Sequence, residues 1–111
     1  MDLKSLAQLG RIEEEREVLK GVKIKMHTLS VTDQEEVTKV IEKPEDTITK
    51  YPALLRSFLT RATISINDET DSKGIEQFYK EAQFEIVKEI YIFYLELEKK
   101  QLSVLEELKK K

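Results

Sequence analysis

The chain has 111 residues, 40% hydrophobic and 37% charged, with a formal net charge of −3. That length holds one domain with one modest core, and a sequence without cysteine excludes disulfides and thiolate metal sites. The 19 basic and 22 acidic residues are spread along the chain with no basic stripe, which argues against nucleic acid as a partner.

Residues 1–10 predict a short amphipathic helix. Leu3, Leu6 and Leu9 share a side, and Gly10 is a natural stop. The early acid, the lack of a long apolar core and the lack of a small-residue cleavage site argue against a secretory signal. The longest apolar run falls far short of the roughly 20 residues that span a bilayer. A soluble protein with no membrane partner is expected.

Residues 11–29 predict a β-hairpin. RIEEEREV favours helix by propensity, but VKIKMHT alternates as a strand does. With Leu19-Lys20-Gly21 as a three-residue loop and Gly21 left-handed, Ile12, Arg16 and Val18 share a face with Thr28, Ile24 and Val22. On the other face Glu17 opposes Lys23, Glu15 opposes Lys25 and Glu13 opposes His27. Three opposite-sign pairs from one register favour the hairpin, each worth about 0.2–1 kcal/mol. Its mildly apolar face should lie on helices.

Residues 30–83 predict a helical core. Ser30 is placed to cap a helix whose first turn carries Asp33, Glu35 and Glu36 near the positive end of the dipole. That helix is expected to run to about Glu42, with Val37, Val40 and Ile41 inward, and to end at Lys43-Pro44. A second start is expected at Tyr51-Pro52, with Leu54, Leu55, Phe58 and Leu59 as its core face. Residues 62–66, ATISI, fit either a short strand or the last helical turn. Asn67 to Gly74 reads as a polar turn, and Gly74-Ile75 as the opening of a helix through about Gln83.

Residues 84–111 predict a long terminal helix. Val87, Ile90, Tyr91, Tyr94, Leu97, Leu105 and Leu108 form one stripe at about 100° per residue, with Gln101 its only polar member. Between Ile90 and Leu95 apolar character leaves the stripe and wraps the helix, and Ile92 falls among Glu85, Glu89 and Glu96. A helix apolar on two sides wants two partners. Phe84, Tyr91 and Tyr94 read as ordinary core. Ile92, Phe93 and Leu95 fit self-burial, under the N-terminal helix for instance, and partner contact equally, since the inward stripe is already supplied. Ile92, Phe93, Leu95, Tyr91 and Leu102 are the candidate partner-binding residues. Heptad-like Tyr94, Gln101, Leu105 and Leu108 would also suit pairing with a second copy.

Catalytic and cofactor motifs are not recognisable. His27, the only histidine, alternates with lysines on a strand and reads as solvent-facing. Asn67 to Asp71 suggests a calcium loop, but counting back from Gly74 puts Lys73 at a ligand position. Ser30 and Asp33 have no glycine elbow before them and read as helix caps. Lys4, Lys20 and Lys23 lack a glycine-rich phosphate loop. No metal and no cofactor are expected, and the chain reads as a binding protein rather than an enzyme.

The fold class expected is α+β, mainly α: an N-terminal β-hairpin packed on a small helical bundle with a long C-terminal helix, in a single domain over 1–111. In that order of elements the chain resembles small tail assembly chaperones of tailed bacteriophages, including those acting on the baseplate hub of contractile-tailed phages. The hairpin EVLKGVKIKMHTLS leads into a helix start at Thr28-Leu29-Ser30, like the family's "TLS" or "PLT". Arg61-Ala62-Thr63-Ile64-Ser65-Ile66-Asn67-Asp68-Glu69 is similar to its "ARAIVSINGE"-like segment. Tyr91, Tyr94, Glu96 and Leu97 match a last helix of "Y-x-x-Y-x-E-L" flavour. The resemblance covers roughly residues 18–101; the charged tail after Gln101 and the charged first strand depart from it. It implies a non-enzymatic chaperone in the host bacterial cytoplasm, binding a tape measure protein or baseplate hub component by helix-in-groove packing before the tail tube polymerises. The alternative it implies is a small structural virion component: a baseplate, neck or capsid-associated subunit.

Overall fold

The computed structural model describes residues 2–39 and 47–110. Five helices and three strands follow in the order α1 (Leu3–Leu6), β1 (Glu13–Leu19), β2 (Val22–His27), α2 (Val31–Thr38), α3 (Thr47–Ala62), β3 (Thr63–Ile66), α4 (Ser72–Glu81) and α5 (Phe84–Lys109). The strands form one antiparallel sheet, β1-β2-β3, with β2 central. The architecture is α+β, with the hairpin at the N-terminus and the long helix at the C-terminus.

The hairpin has the register expected from its charges: Glu13 opposes His27, Glu15 opposes Lys25, and Glu17 opposes Lys23. Its turn is tighter than expected. Leu19 pairs with Val22, so only Lys20 and Gly21 turn the chain, and a register shift between Glu17 and Leu19 absorbs the extra residue. Gly21 takes φ +82°, where a side chain would be strained. The inner face carries Ile24 and Met26, both fully buried.

The segment 62–66 divides: Ala62 ends α3, and Thr63–Ile66 leave it without a linker as β3, pairing Ile24 with Ile66 and Lys25 with Ser65. Local sequence left helix and strand balanced; the unpaired edge of β2 decides for strand. Asn67 and Asp68 then turn with φ +49° and +69°, a conformation these side chains tolerate. Asn67 also clamps the hairpin tip: its Oδ1 accepts from the Lys23 amide at 2.7 Å, and its Nδ2 donates to the Gly21 carbonyl at 3.0 Å.

Ser30 and Asp33 form a reciprocal capping box at the start of α2. Helix α2 ends at Thr38 with Lys39 as its C-cap, short of the expected end near Glu42; Val40, Ile41 and the Lys43-Pro44 stop lie outside the described residues. Helix α3 begins at Thr47, not at Tyr51-Pro52, and Pro52 lies inside it. So near the N-terminus proline forfeits only the bond to the carbonyl of residue 48, a loss the packed helix tolerates. Asp71, not Gly74, starts α4: its carboxylate accepts from the Gly74 amide at 3.2 Å. Ala82 and Gln83 are extended and separate α4 from α5.

One apolar core joins Ile24 and Met26 of β2, Leu55, Leu59 and Ala62 of α3, Ile75 and Tyr79 of α4, and Val87, Ile90, Phe93, Tyr94 and Leu97 of α5. Two polar contacts, one buried and one part-buried, tie elements around it. Thr63 Oγ1 and Tyr79 OH are hydrogen-bonded at 2.7 Å. Asp33 Oδ1 accepts from Arg61 Nε at 2.6 Å, tying α2 to the end of α3. Burial pushes the Asp33 carboxyl up, but the Ser30 amide and Arg61 outweigh it and hold the pKa below the ordinary aspartate value. A depressed carboxyl stabilises the fold above the unfolded value, near about 4, and that contribution disappears as pH falls through the folded value. Asp33→Asn should therefore lower the urea midpoint at pH 7, and the gap from the wild type should narrow as the pH is taken from 5 to about 2.

Candidate functional site

Helix α5 has 26 residues, about 39 Å at 1.5 Å per residue. The core covers it only from Val87 to Leu97. On one flank lies β1, whose inward charges latch onto it. Arg16 pairs with Glu96 and Glu14, and Lys100 pairs with Glu14. The hydrogen bond from Lys100 is the main cause that holds the Glu14 carboxyl below its usual range. On the other flank lies α3, with Phe58 edge-on to Tyr91 (centroids 5.6 Å apart) and to Tyr94 (4.7 Å). Tyr94 is wrapped so closely that burial, and after it Glu98, pushes its phenol up to about 12.

Two apolar surfaces on α5 remain uncovered. The outer face carries Ile92, 47% exposed, with Leu95 and Leu102. The distal end carries Val104, Leu105 and Leu108, where the inward stripe continues past the body. The chain leading from α1 to β1 reaches that end at Gly10: Gln101 Nε2 donates to the Gly10 carbonyl at 3.1 Å, and a side chain at Gly10 would come within 3.3 Å of Leu105 Cδ2. Leu3, Leu6 and Leu9 on and after α1 are themselves exposed, Leu3 by 84%. Exposed leucines this concentrated mark an interaction surface more often than a defect.

Of the five residues expected to bind a partner, Ile92, Leu95 and Leu102 are accessible on the outer face. Tyr91 is half-buried against Phe58 and lines a groove of about 250 Å³ with Val37, Leu54 and Leu55. Phe93 is a correction. It is 1% exposed, with the Arg16 guanidinium 4.5 Å from its ring centroid. It points toward β1, and nothing in the helix's own periodicity shows that a strand covers that flank. Nor does the N-terminal segment cover Ile92 and Leu95, which stay exposed; its contact with α5 at Gly10 lies farther along, at Gln101 and Leu105. The leucines of α1 and Val104 were missed as surface residues. Their signal was a three-residue leucine spacing on a helix too short to bury itself.

A polar groove of about 540 Å³ is lined by His27, Asp33, Glu36, Arg56, Arg61 and Glu76 among others. Several of its polar groups are engaged within the fold: Asp33 with Arg61, Glu36 with Lys39, and His27 Nδ1 with the Thr28 carbonyl at 2.8 Å. Among the described residues no three His, Asp or Glu side chains group as metal ligands, and no helix is long and apolar enough to cross a membrane.

No protein-family model, curated protein or solved structure matches this chain. The outer face of α5 and its distal end are therefore judged on geometry alone. Ile92→Asp should leave thermal unfolding within about 1 kcal/mol of the wild type, a surface and helix-propensity effect. Phe93→Asp should cost more than about 3 kcal/mol or abolish folding, because it leaves a charge in the core.

Proposed function

We propose that this chain is a non-enzymatic assembly chaperone of a tailed bacteriophage, acting in the host cytoplasm on a tape measure or baseplate hub protein. The observation that carries the reading is that α5 has more apolar surface than the body hides. Beyond Leu97 every leucine of the helix is exposed, and so are Leu3, Leu6 and Leu9 of the segment that reaches Leu105 at Gly10. A client helix laid along this end would gain part of the roughly 1.5–3 kcal/mol that full burial of each large aliphatic side chain is worth. The hydrophobic gain is modest per residue and spread over a small surface, which suits a partner that must later leave.

The resemblance supplies the client class. The segments that carry it lie in the hairpin, the capped start of α2, the α3–β3 junction and the middle of α5. A tape measure or hub helix exposes apolar stripes until tube subunits enclose it, and a small helix-presenting protein can cover such stripes reversibly.

The test is co-purification with defined tape measure and hub fragments of the same phage. The wild type should retain one of them, and Leu105→Asp with Leu108→Asp should reduce retention at least about tenfold, with the circular dichroism spectrum unchanged. Retention of none of the fragments removes the client. Stoichiometric presence of the chain in purified virions would instead make it a structural subunit.

A further inference from the structure

The outer face of α5 carries a pattern that the core stripe does not explain. Glu85, Lys88, Ile92, Leu95, Lys99, Leu102, Glu106 and Lys109 follow one another at alternating spacings of three and four residues. That is a heptad seam, and its drift of about 20° per heptad on a straight helix is the drift a left-handed supercoil takes up. Its accessible aliphatic members are Ile92, Leu95 and Leu102. The buried side chains Val87, Ile90, Phe93, Tyr94 and Leu97 occupy the opposite side, so the seam faces away from the body.

The pattern is complementary to itself when reversed. Set two copies of α5 antiparallel with the two-fold axis level with Leu97. Ile92 then lies across from the second copy's Leu102, and Leu95 across from its Lys99. Lys88 lies across from its Glu106, and Glu85 across from its Lys109. Each pairing occurs twice by symmetry, as an isologous interface requires. The two outer layers, Lys88 on Glu106 and Glu85 on Lys109, each meet the opposite sign, and Lys99 lies against Leu95. Within one chain Glu85 and Lys88 already pair at 3.1 Å, and Glu106 and Lys109 at 3.7 Å. Antiparallel docking joins these two exposed pairs into a four-charge cluster at each end of the seam. A parallel pairing in register would instead stack Lys88 on Lys88, Lys99 on Lys99 and Glu106 on Glu106.

We propose that the outer face of α5 binds a second copy of this chain, as an antiparallel helix pair centred near Leu97 with the two bodies facing outward. Three aliphatic residues per copy are too few for an obligate interface, so the pair is reversible and depends on concentration. Two contacts oppose it. Glu98 on one edge of the seam and Glu96 on the other lie near the axis, each beside the same residue of the second copy.

The experiment uses the full chain alone. Sedimentation equilibrium should show a species of twice the 13.0 kDa monomer mass growing with concentration. Lys88→Glu or Glu106→Lys alone should weaken it about tenfold, by turning attraction into repulsion at two symmetric places, and the double variant should restore it. Glu98→Gln should tighten it. The native chain has no cysteine, so Ile92→Cys protein mixed with Leu102→Cys protein should form the mixed disulfide, while each alone should link poorly across about 15 Å, ten residues of helix rise. A strict monomer up to roughly 1 mM, the millimolar bound of weak association, overturns the proposal. So does failure of the double charge reversal to restore pairing, or faster linking of Ile92→Cys to itself. Client capture is read in a separate assay on the distal leucines, so either proposal can fail while the other stands.

Discussion

The structure depends on the burial of one half of one helix. Val87, Ile90, Phe93, Tyr94 and Leu97 bring α5 against β2, α3 and α4, and the other elements contribute to a core that this stretch completes. Fully buried Ile24 and Met26 bring the hairpin onto it, and Leu55 and Leu59 bring α3. With so few covering elements the body can enclose only about half of α5. The remainder projects, apolar residues included, and that geometric shortfall is the origin of the exposed surface.

Charge decides how the flanks of the helix are used. On the flank toward β1, the two polar residues that face inward from an otherwise apolar strand face, Glu14 and Arg16, are matched by Glu96 and Lys100. Arg16 additionally covers the Phe93 ring, placing a cation over an aromatic face instead of leaving either in the open. The inward charges of the first strand therefore position the helix. On the outer face the same residue types have no strand to meet. They pair with neighbours one turn away, as Lys88 does with Glu85, and such exposed pairs contribute little to the monomer.

Much of this was legible in the sequence where local rules suffice. The hairpin register followed from three opposite-sign pairs, the start of α2 from Ser30 and Asp33, and the core face of α5 from its period. What was not legible depends on distant segments. Residues 63–66 become a strand because β2 offers an open edge to Ser65 and Ile66. Phe93 and Ile92 are adjacent and similar in hydrophobicity, yet one is sealed and the other half exposed. Only the position of β1, some eighty residues earlier, separates them. Pro52 looked like a helix start because proline favours first turns. It lies inside α3 instead, where only one carbonyl loses its partner.

Under the two proposals, a client helix and a second copy compete for neighbouring parts of one rod. Leu105, Leu108 and the Gly10 contact sit on the side of the helix that continues the core stripe, while Ile92, Leu95 and Leu102 lie on the outer face. Leu102 and Leu105 are three residues apart, so a client that wraps from one sector to the other must displace the second copy. Its apparent affinity is then reduced by the fraction of chains already paired. Self-pairing in this sense limits nonspecific association: it covers part of the exposed apolar surface when no client is present, and the charge pattern restricts which helix can replace the copy. A helix lacking acid and base at the spacing of Glu106 and Lys88 would leave those charges with only their own-helix partners, Lys109 and Glu85, and would forgo the cross-helix attraction that favours a second copy.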